Sequence, residues 1–157
     1  MTVRLVLISG LPGAGKTSLA RELETSIPAI RLCGDEWMID LAIDLHDELA
    51  RERVEVRFWK LAQQLLALGL SVILESGFWL RSDRDEKRVG ARALGVRVEL
   101  HYLDVPLDER WRRVSTRNAG SEWNGSPITR EQLATWDRFF EVPTPAELEL
   151  FDLAQSS

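Results

Sequence analysis

Residues 10–17 read Gly10-Leu11-Pro12-Gly13-Ala14-Gly15-Lys16-Thr17, a fit to G-x-x-x-x-G-K-[ST]. The apolar, branched run Val3 to Ile8 before it has the length of a buried strand. Ser18 to Glu24 after it is free of Gly and Pro and places Leu19 and Leu23 four residues apart, as on an amphipathic helix. Strand, glycine-rich turn and helix in that order restrict the chain to folds in which a helix N-terminus faces the end of a strand.

A chain of phosphates suits such a turn. Its charges must be held without water, and successive backbone N–H groups can do this where no Cβ intrudes, hence Gly10, Gly13 and Gly15, with Pro12 stiffening the turn and Ala14 and Ser18 completing it. The helix dipole adds partial positive charge at the same place. Lys16 is then long enough to reach β and γ phosphates, and the Thr17 hydroxyl suits a magnesium ion.

A chain of 157 residues is one domain's worth, and a single domain over 1–157 is expected. No apolar run approaches the length needed to span a bilayer. Met1-Thr2 leads directly into the first strand and Cys33 has no partner for a disulfide, so a cytoplasmic protein without a signal peptide is expected. The 25 acidic against 20 basic residues, a net charge of −5, oppose non-specific attraction to nucleic acid and weigh against a polynucleotide substrate.

Further along, Ala29 to Cys33 reads as a second strand delivering Asp35 to its C-terminal end. From Glu36 to Leu49 the pattern is helical, with Trp37, Leu41, Leu45 and Leu49 on the buried side. A further helix carries Phe58, Leu61, Leu65 and Leu68 until Gly69. Ser71 to Glu75 is a third strand, Asp83 to Leu94 a helix, Val96 to Leu103 a fourth strand, and a helix with Trp111 and Val114 follows Pro106. The Gly, Ser and Asn-rich stretch 118–127 reads as a mobile loop, Thr129 caps a helix to Phe140, and Leu148 to Leu153 reads as a short last strand. Alternating strands and helices imply a parallel sheet covered on both faces, with ligands at the edge formed by the strand C-termini.

Several side chains converge on that edge. Asp35 can take or orient the proton of an attacking hydroxyl, or it can cap the helix beginning at Glu36. Glu75 can meet magnesium through water, hydrogen-bond a substrate, or simply end the strand. Arg110, Arg112, Arg113 and Arg117 form either a solvated helix face or a lid over about 113–127 that lowers Arg113 and Arg117 onto a transferring phosphoryl group. Trp37 and Trp79 are candidates for a substrate wall, and Trp123 lies in the loop. His46 and His101 lack partners at metal-ligand spacing. Glu36, Asp40, Asp44 and Glu48 recur every four residues, an acidic stripe that is either a solvated face or a receptor for a cationic acceptor such as an amino-sugar antibiotic, with Asp40 and Asp44 as contacts.

The segments GLPGAGKTSLARELE, CGDEW, VILESGFWLRSDRDEKR and LHYLDVPLDERWRRVSTRN together resemble the small P-loop kinases of the zeta-toxin, chloramphenicol phosphotransferase and polynucleotide-kinase type, over roughly residues 3–118, with a weaker echo in Phe139 to Pro143. The resemblance implies a three-layer α/β P-loop NTPase fold with a parallel five-stranded sheet, order 2-3-1-4-5. It implies Lys16 and Thr17 on nucleotide and magnesium, Asp35 as general base, Arg113 and Arg117 as lid arginines, and Arg84 as a phosphate or substrate contact. Such proteins more often carry Asp where Glu75 stands, and no arginine follows Asp35 at the spacing polynucleotide kinases use. The expected function is transfer of the γ phosphate of ATP (or GTP), with Mg2+, to a hydroxyl of a small molecule. A 5′-hydroxyl polynucleotide kinase and a nucleotide-binding switch with weak hydrolysis are the alternatives.

Overall fold

A computed structural model gives the fold, described for residues 2–120 and 127–154. In chain order the elements are β1 (Arg4–Ser9), α1 (Lys16–Ser26), β2 (Ala29–Cys33), α2 (Gly34–Asp40), α3 (Glu48–Ala67), β3 (Ser71–Gly77), α4 (Arg81–Ala93), β4 (Arg97–Tyr102), α5 (Leu107–Ala119), α6 (Arg130–Phe139) and α7 (Pro145–Leu148). The strands pair in parallel in the order β2-β3-β1-β4. None of the described helices is long and apolar enough to cross a membrane.

Every residue of β1 is buried, and period-two alternation sends its side chains to opposite faces. Leu5 and Leu7 pack with Phe58, Ala62 and Leu66 of α3 and Ala91 of α4, while Val6 and Ile8 pack with Ala20, Leu19 and Leu23 of α1. Full burial of each such aliphatic side chain contributes about 1.5–3 kcal/mol, so β1 is fixed from both sides. Its C-terminus, where the glycine-rich loop starts, inherits that rigidity.

Several expectations need correction. The described residues hold four strands, not five. Pro145 at the first helical position and a Thr144 side-chain cap on Glu147 N–H nucleate α7 where a strand was expected. The chain after it still runs beside β4: Asp152 N–H donates to Val98 O at 2.8 Å, and Val98 N–H donates to Asp152 Oδ2 at 2.9 Å.

The helix expected over 36–49 is interrupted. α2 stops at Asp40, Ala42 adopts φ 57°, Asp44 Oδ1 accepts from His46 N–H at 2.9 Å, and Asp47 caps α3 by accepting from Ala50 N–H at 2.9 Å. Glu36, Asp40, Asp44 and Glu48 therefore do not share one helix face, and Leu41 and Leu49 are exposed rather than core. On α3 the buried line is Phe58, Ala62 and Leu66, with Leu61 and Leu65 flanking it; Leu68, expected inside, is 77% exposed.

Arg84 makes a structural contact rather than the implied contact to phosphate or substrate. It is fully buried and bidentate to the equally buried Glu147, at 2.6 Å from Nε and 3.0 Å from Nη2, and its Nη1 donates to Phe78 O at 2.9 Å. The pair fastens α7 to the segment following β3. In the same region Glu141 N–H donates to Trp79 O at 2.8 Å and Arg81 N–H to Glu141 Oε2 at 3.0 Å. Arg84→Met strands the buried Glu147 carboxylate and is expected to lower unfolding free energy by about 3–5 kcal/mol in urea titration, whereas Arg84→Met with Glu147→Met should lose clearly less.

Candidate active site

The phosphate-loop candidate begins where β1 ends. Gly10 N–H donates to Gly77 O at 3.0 Å, tying the loop to the end of β3. Gly13 and Gly15 sit at φ 84° and 94°, the left-handed region that glycine tolerates. At Gly13 a side chain would also collide, since a Cβ would lie 2.7 Å from Arg110 O and 2.9 Å from Val114 Cγ2 of α5. Gly15 is the N-cap of α1 and has no side chain to offer, so no side chain caps the first-turn N–H groups and they remain available to an anion. Ala14 is buried beneath the loop, Pro12 is half-buried and Ser18 is exposed.

Around this loop stand three cations. Lys16 Nζ donates to Leu11 O at 3.1 Å. Burial pushes the Lys16 ammonium down to about 8, with Glu75 and Asp35 opposing the fall and Arg117 adding to it. Arg113 Nη1 donates to Gly13 O at 3.3 Å and lies 3.5 Å from where a Cβ of Gly15 would stand, while its Nε pairs with Glu109 at 3.1 Å. Hydrogen bonds from Arg112 and Arg113 pull the Glu109 carboxyl down to about 2. Arg117, one turn on and half-buried, has its guanidinium pKa lowered by burial, with the Asp35 carboxylate pulling the other way.

Thr17 Oγ1 donates to Glu75 Oε1 at the sheet edge. Glu75 is buried inside β3, which runs two residues beyond it to Gly77. One hydroxyl and one carboxylate side by side fit a magnesium ion, which takes few protein oxygens and keeps waters and substrate phosphates as its other ligands. Uncapped helix amides, Lys16 and the two arginines fit the polyphosphate beside it. Among the described residues no cluster of three or more His, Cys, Asp or Glu offers an all-protein metal site. His101 Nε2 pairs with Glu99 at 3.1 Å and His46 is exposed.

Asp35 lies at the second position of α2, at the end of β2. It is not the cap, because Cys33 holds the N-cap position and caps through no side chain. Instead Asp35 Oδ1 accepts from Arg51 Nη1 at 2.6 Å, and Arg51 Nη2 donates to Leu45 O at 2.9 Å. An arginine does meet Asp35, then, but from α3 and sixteen residues on, where sequence spacing gives no signal. Glu55, one turn beyond Arg51, was also missed. Burial pushes its carboxyl up to about 7, with Asp83 and Asp35 adding to the rise and Arg51 and Lys87 opposing it.

Trp37 is 40% exposed and meets Phe58 edge-on at 5.0 Å, and Trp79 stands beside Gly77 and 6.0 Å from Trp136. Asp40 and Asp44 are exposed and lie on separate segments. A cavity of about 300 Å3 adjoins the loop on the β4 side, between Leu11, Tyr102, Pro106, Arg110 and Phe140. Residues 121–126, with Trp123, lie outside the described residues.

A family model described as an AAA domain matches residues 5–143. The chain belongs to the AAA domain family. A cytidylate kinase from Ignicoccus hospitalis is 29% identical to this AAA domain over 171 residues, covering 98% of this chain and 88% of that protein. A chain of the Pnkp1/Rnl/Hen1 RNA repair complex matches with a TM-score of 0.73 and 21% identity over 96% of this chain; the AAA domain spans only 47% of that chain. A gluconokinase from Sinorhizobium meliloti matches at 0.61 and 19%, over 89% of this chain and 76% of the other. At those identities the structural likeness establishes the fold, an α/β P-loop kinase fold with a parallel sheet between helices.

The lowered Lys16 has a measurable consequence. Phosphate binding stabilises its charged form, so nucleotide affinity should be flat with pH below about 8 and weaken by up to about tenfold per pH unit above it, with proton uptake on binding. Titration calorimetry in buffers of differing ionisation enthalpy checks this, and Lys16→Met should abolish the dependence.

Proposed function

We propose that this AAA domain is a magnesium-dependent kinase that transfers the γ-phosphoryl group of ATP (or GTP) to a hydroxyl of a small molecule. The observation that carries this reading is geometric: the Lys16–Thr17 end of the loop meets Glu75 through the Thr17 hydroxyl, Arg31 joins Glu75 to Glu36 beside Asp35, and Lys16 lies within electrostatic reach of both Asp35 and Glu75. In the transfer, the acceptor hydroxyl gives its proton to Asp35, its oxygen bonds to the γ phosphorus, and the bond to the β-phosphate oxygen breaks to release the diphosphate. Lys16, Arg113 and Arg117 offset charge on the transferring group and the leaving oxygen. Thr17 and Glu75 would hold the magnesium ion, which would further neutralise the β and γ phosphates when bound.

Membership of the family and likeness to relatives named as cytidylate kinase and gluconokinase support phosphotransfer to a small molecule. The net charge of −5 supports it over a polynucleotide substrate. The amino-sugar class loses the ground that suggested it, because the acidic stripe does not form on one helix. Arg51 at Asp35 brings positive charge to the acceptor side instead. Cys33, buried and with its thiol pushed up to about 11 chiefly by burial, suits a reducing cytoplasm. On this reading residues 1–157 form one domain, and Arg113 and Arg117 of α5 belong to the lid expected over about 113–127, of which 121–126 lie outside the described residues.

Nucleotide consumption measured across sugars, sugar acids, nucleosides, nucleoside monophosphates, amino-sugar antibiotics and 5′-hydroxyl oligonucleotides tests the reading. A small hydroxyl compound should stimulate turnover, Lys16→Ala should abolish it, and Asp35→Asn should bind nucleotide nearly as well as the parent yet lose about a hundredfold or more in transfer. Stimulation by the oligonucleotide alone would make it a polynucleotide kinase, and slow hydrolysis with no acceptor would make it a switch.

A further inference from the structure

Arg31 lies in the middle of β2, opposite Ile73 of β3, and its side chain is only 11% exposed. The guanidinium reaches three carboxylates on three other elements. Nε donates to Glu24 Oε2 of α1 at 3.2 Å, Nη1 to Glu75 Oε2 of β3 at 3.3 Å, and Nη2 to both oxygens of Glu36 in α2 at 2.9 Å. Arg21 of α1 supports Glu36 from its exposed side at 3.2 Å. The other oxygen of Glu75 holds the Thr17 hydroxyl, and Glu36 adjoins Asp35 in the first turn of α2. One side chain thus joins the Thr17–Glu75 side of the site to the segment that carries Asp35.

Stability alone does not account for this arrangement. Placing a guanidinium and the Glu75 carboxylate out of water costs several kcal/mol in hydration, and an apolar pair of similar volume would commonly be as stable. An exposed pair such as Arg112 with Glu109 contributes little and joins residues of a single helix. Arg31 differs in tying four elements together, and a planar fork with five donors in fixed directions is what such a junction requires. A lysine at the same place supplies charge without the directions.

We propose that Arg31 is a positioning residue of the phosphoryl-transfer site, setting Glu75 against Thr17 on one side and α2, with Asp35, on the other. The proposal rests on the kinase reading above. It predicts that the metal side and the base side are both loosened by one substitution remote from either phosphate or acceptor, while the phosphate loop itself is untouched.

The test compares the parent with Arg31→Met, Arg31→Lys and Glu36→Gln, using a fluorescent ADP analogue with and without Mg2+ together with turnover and thermal melts. Arg31→Met is expected to bind the analogue without Mg2+ as the parent does, to raise the Mg2+ concentration for half-maximal enhancement of binding about tenfold, and to lower kcat by a similar factor. Arg31→Lys should recover little of either. Glu36→Gln should lower kcat and leave the Mg2+ requirement unchanged, and it keeps the proposal open to refutation should Arg31→Met fail to fold. A lowered melting temperature with unchanged Mg2+ requirement and kcat, or a Mg2+ requirement that falls, overturns the proposal. A parent protein that binds no nucleotide with Mg2+ overturns the kinase reading instead.

Discussion

The backbone of α5 lies against Gly13 so closely that a single added carbon would meet the Arg110 carbonyl, and the placement of the cations follows from that contact. With the helix seated there, Arg113 reaches the loop carbonyl at Gly13 and Arg117 comes within the electrostatic reach of Lys16 and Asp35. The same helix presents Arg110 inward, where it donates to Val105 O at 2.9 Å and pairs with Asp137 of α6 at 2.5 Å. Loop, α5 and α6 are thereby coupled through backbone packing and one part-buried ion pair. The glycine serves the helix that covers the loop as much as it serves any ligand.

Charge in this molecule is mostly placed to fix relative position. Arg84 with Glu147, Arg110 with Asp137 and Arg4 with Glu99 each join elements distant in sequence, and each arginine is at least nine-tenths buried. Buried pairs of this kind add little net stability but are costly to break, so they act as locks on one arrangement rather than as sources of folding energy. Lys16 differs from them, since a backbone carbonyl is its hydrogen-bond partner. A part-buried ammonium so placed is poised for an anion.

The parts legible in the sequence were those governed by local rules. The loop motif, the four strands, the start of α1 and the Thr129–Gln132 capping box of α6 follow from glycine placement, apolar runs and side-chain caps within three residues. The break at Ala42 was not legible, because alanine favours a helix and nothing in its own chemistry calls for a positive φ. It comes from Asp44 and Asp47 turning the chain back toward Arg51. Within the site, the loop, Asp35 and Glu75 were legible because each follows a strand or lies near its C-terminal end. The partners that define their geometry were not, since Arg51 meets Asp35 across a break in the helix and Arg31 meets Glu75 across forty-four residues of sequence. Periodicity carries no information about such pairs.

The segment around Asp152 occupies the flank of β4 without becoming a strand, and this bears on how copies of the chain can associate. Val98 has both its N–H and its C=O engaged by Asp152, and Arg92 and Arg97 hold that carboxylate in place. An incoming strand would find part of that margin already taken and charged. At the opposite margin β2 is only five residues long and puts an arginine at its centre. Both rims of the sheet are thus poor templates for cross-chain pairing, which leaves an all-parallel, strongly apolar sheet protected from the edge-to-edge growth that leads to aggregation.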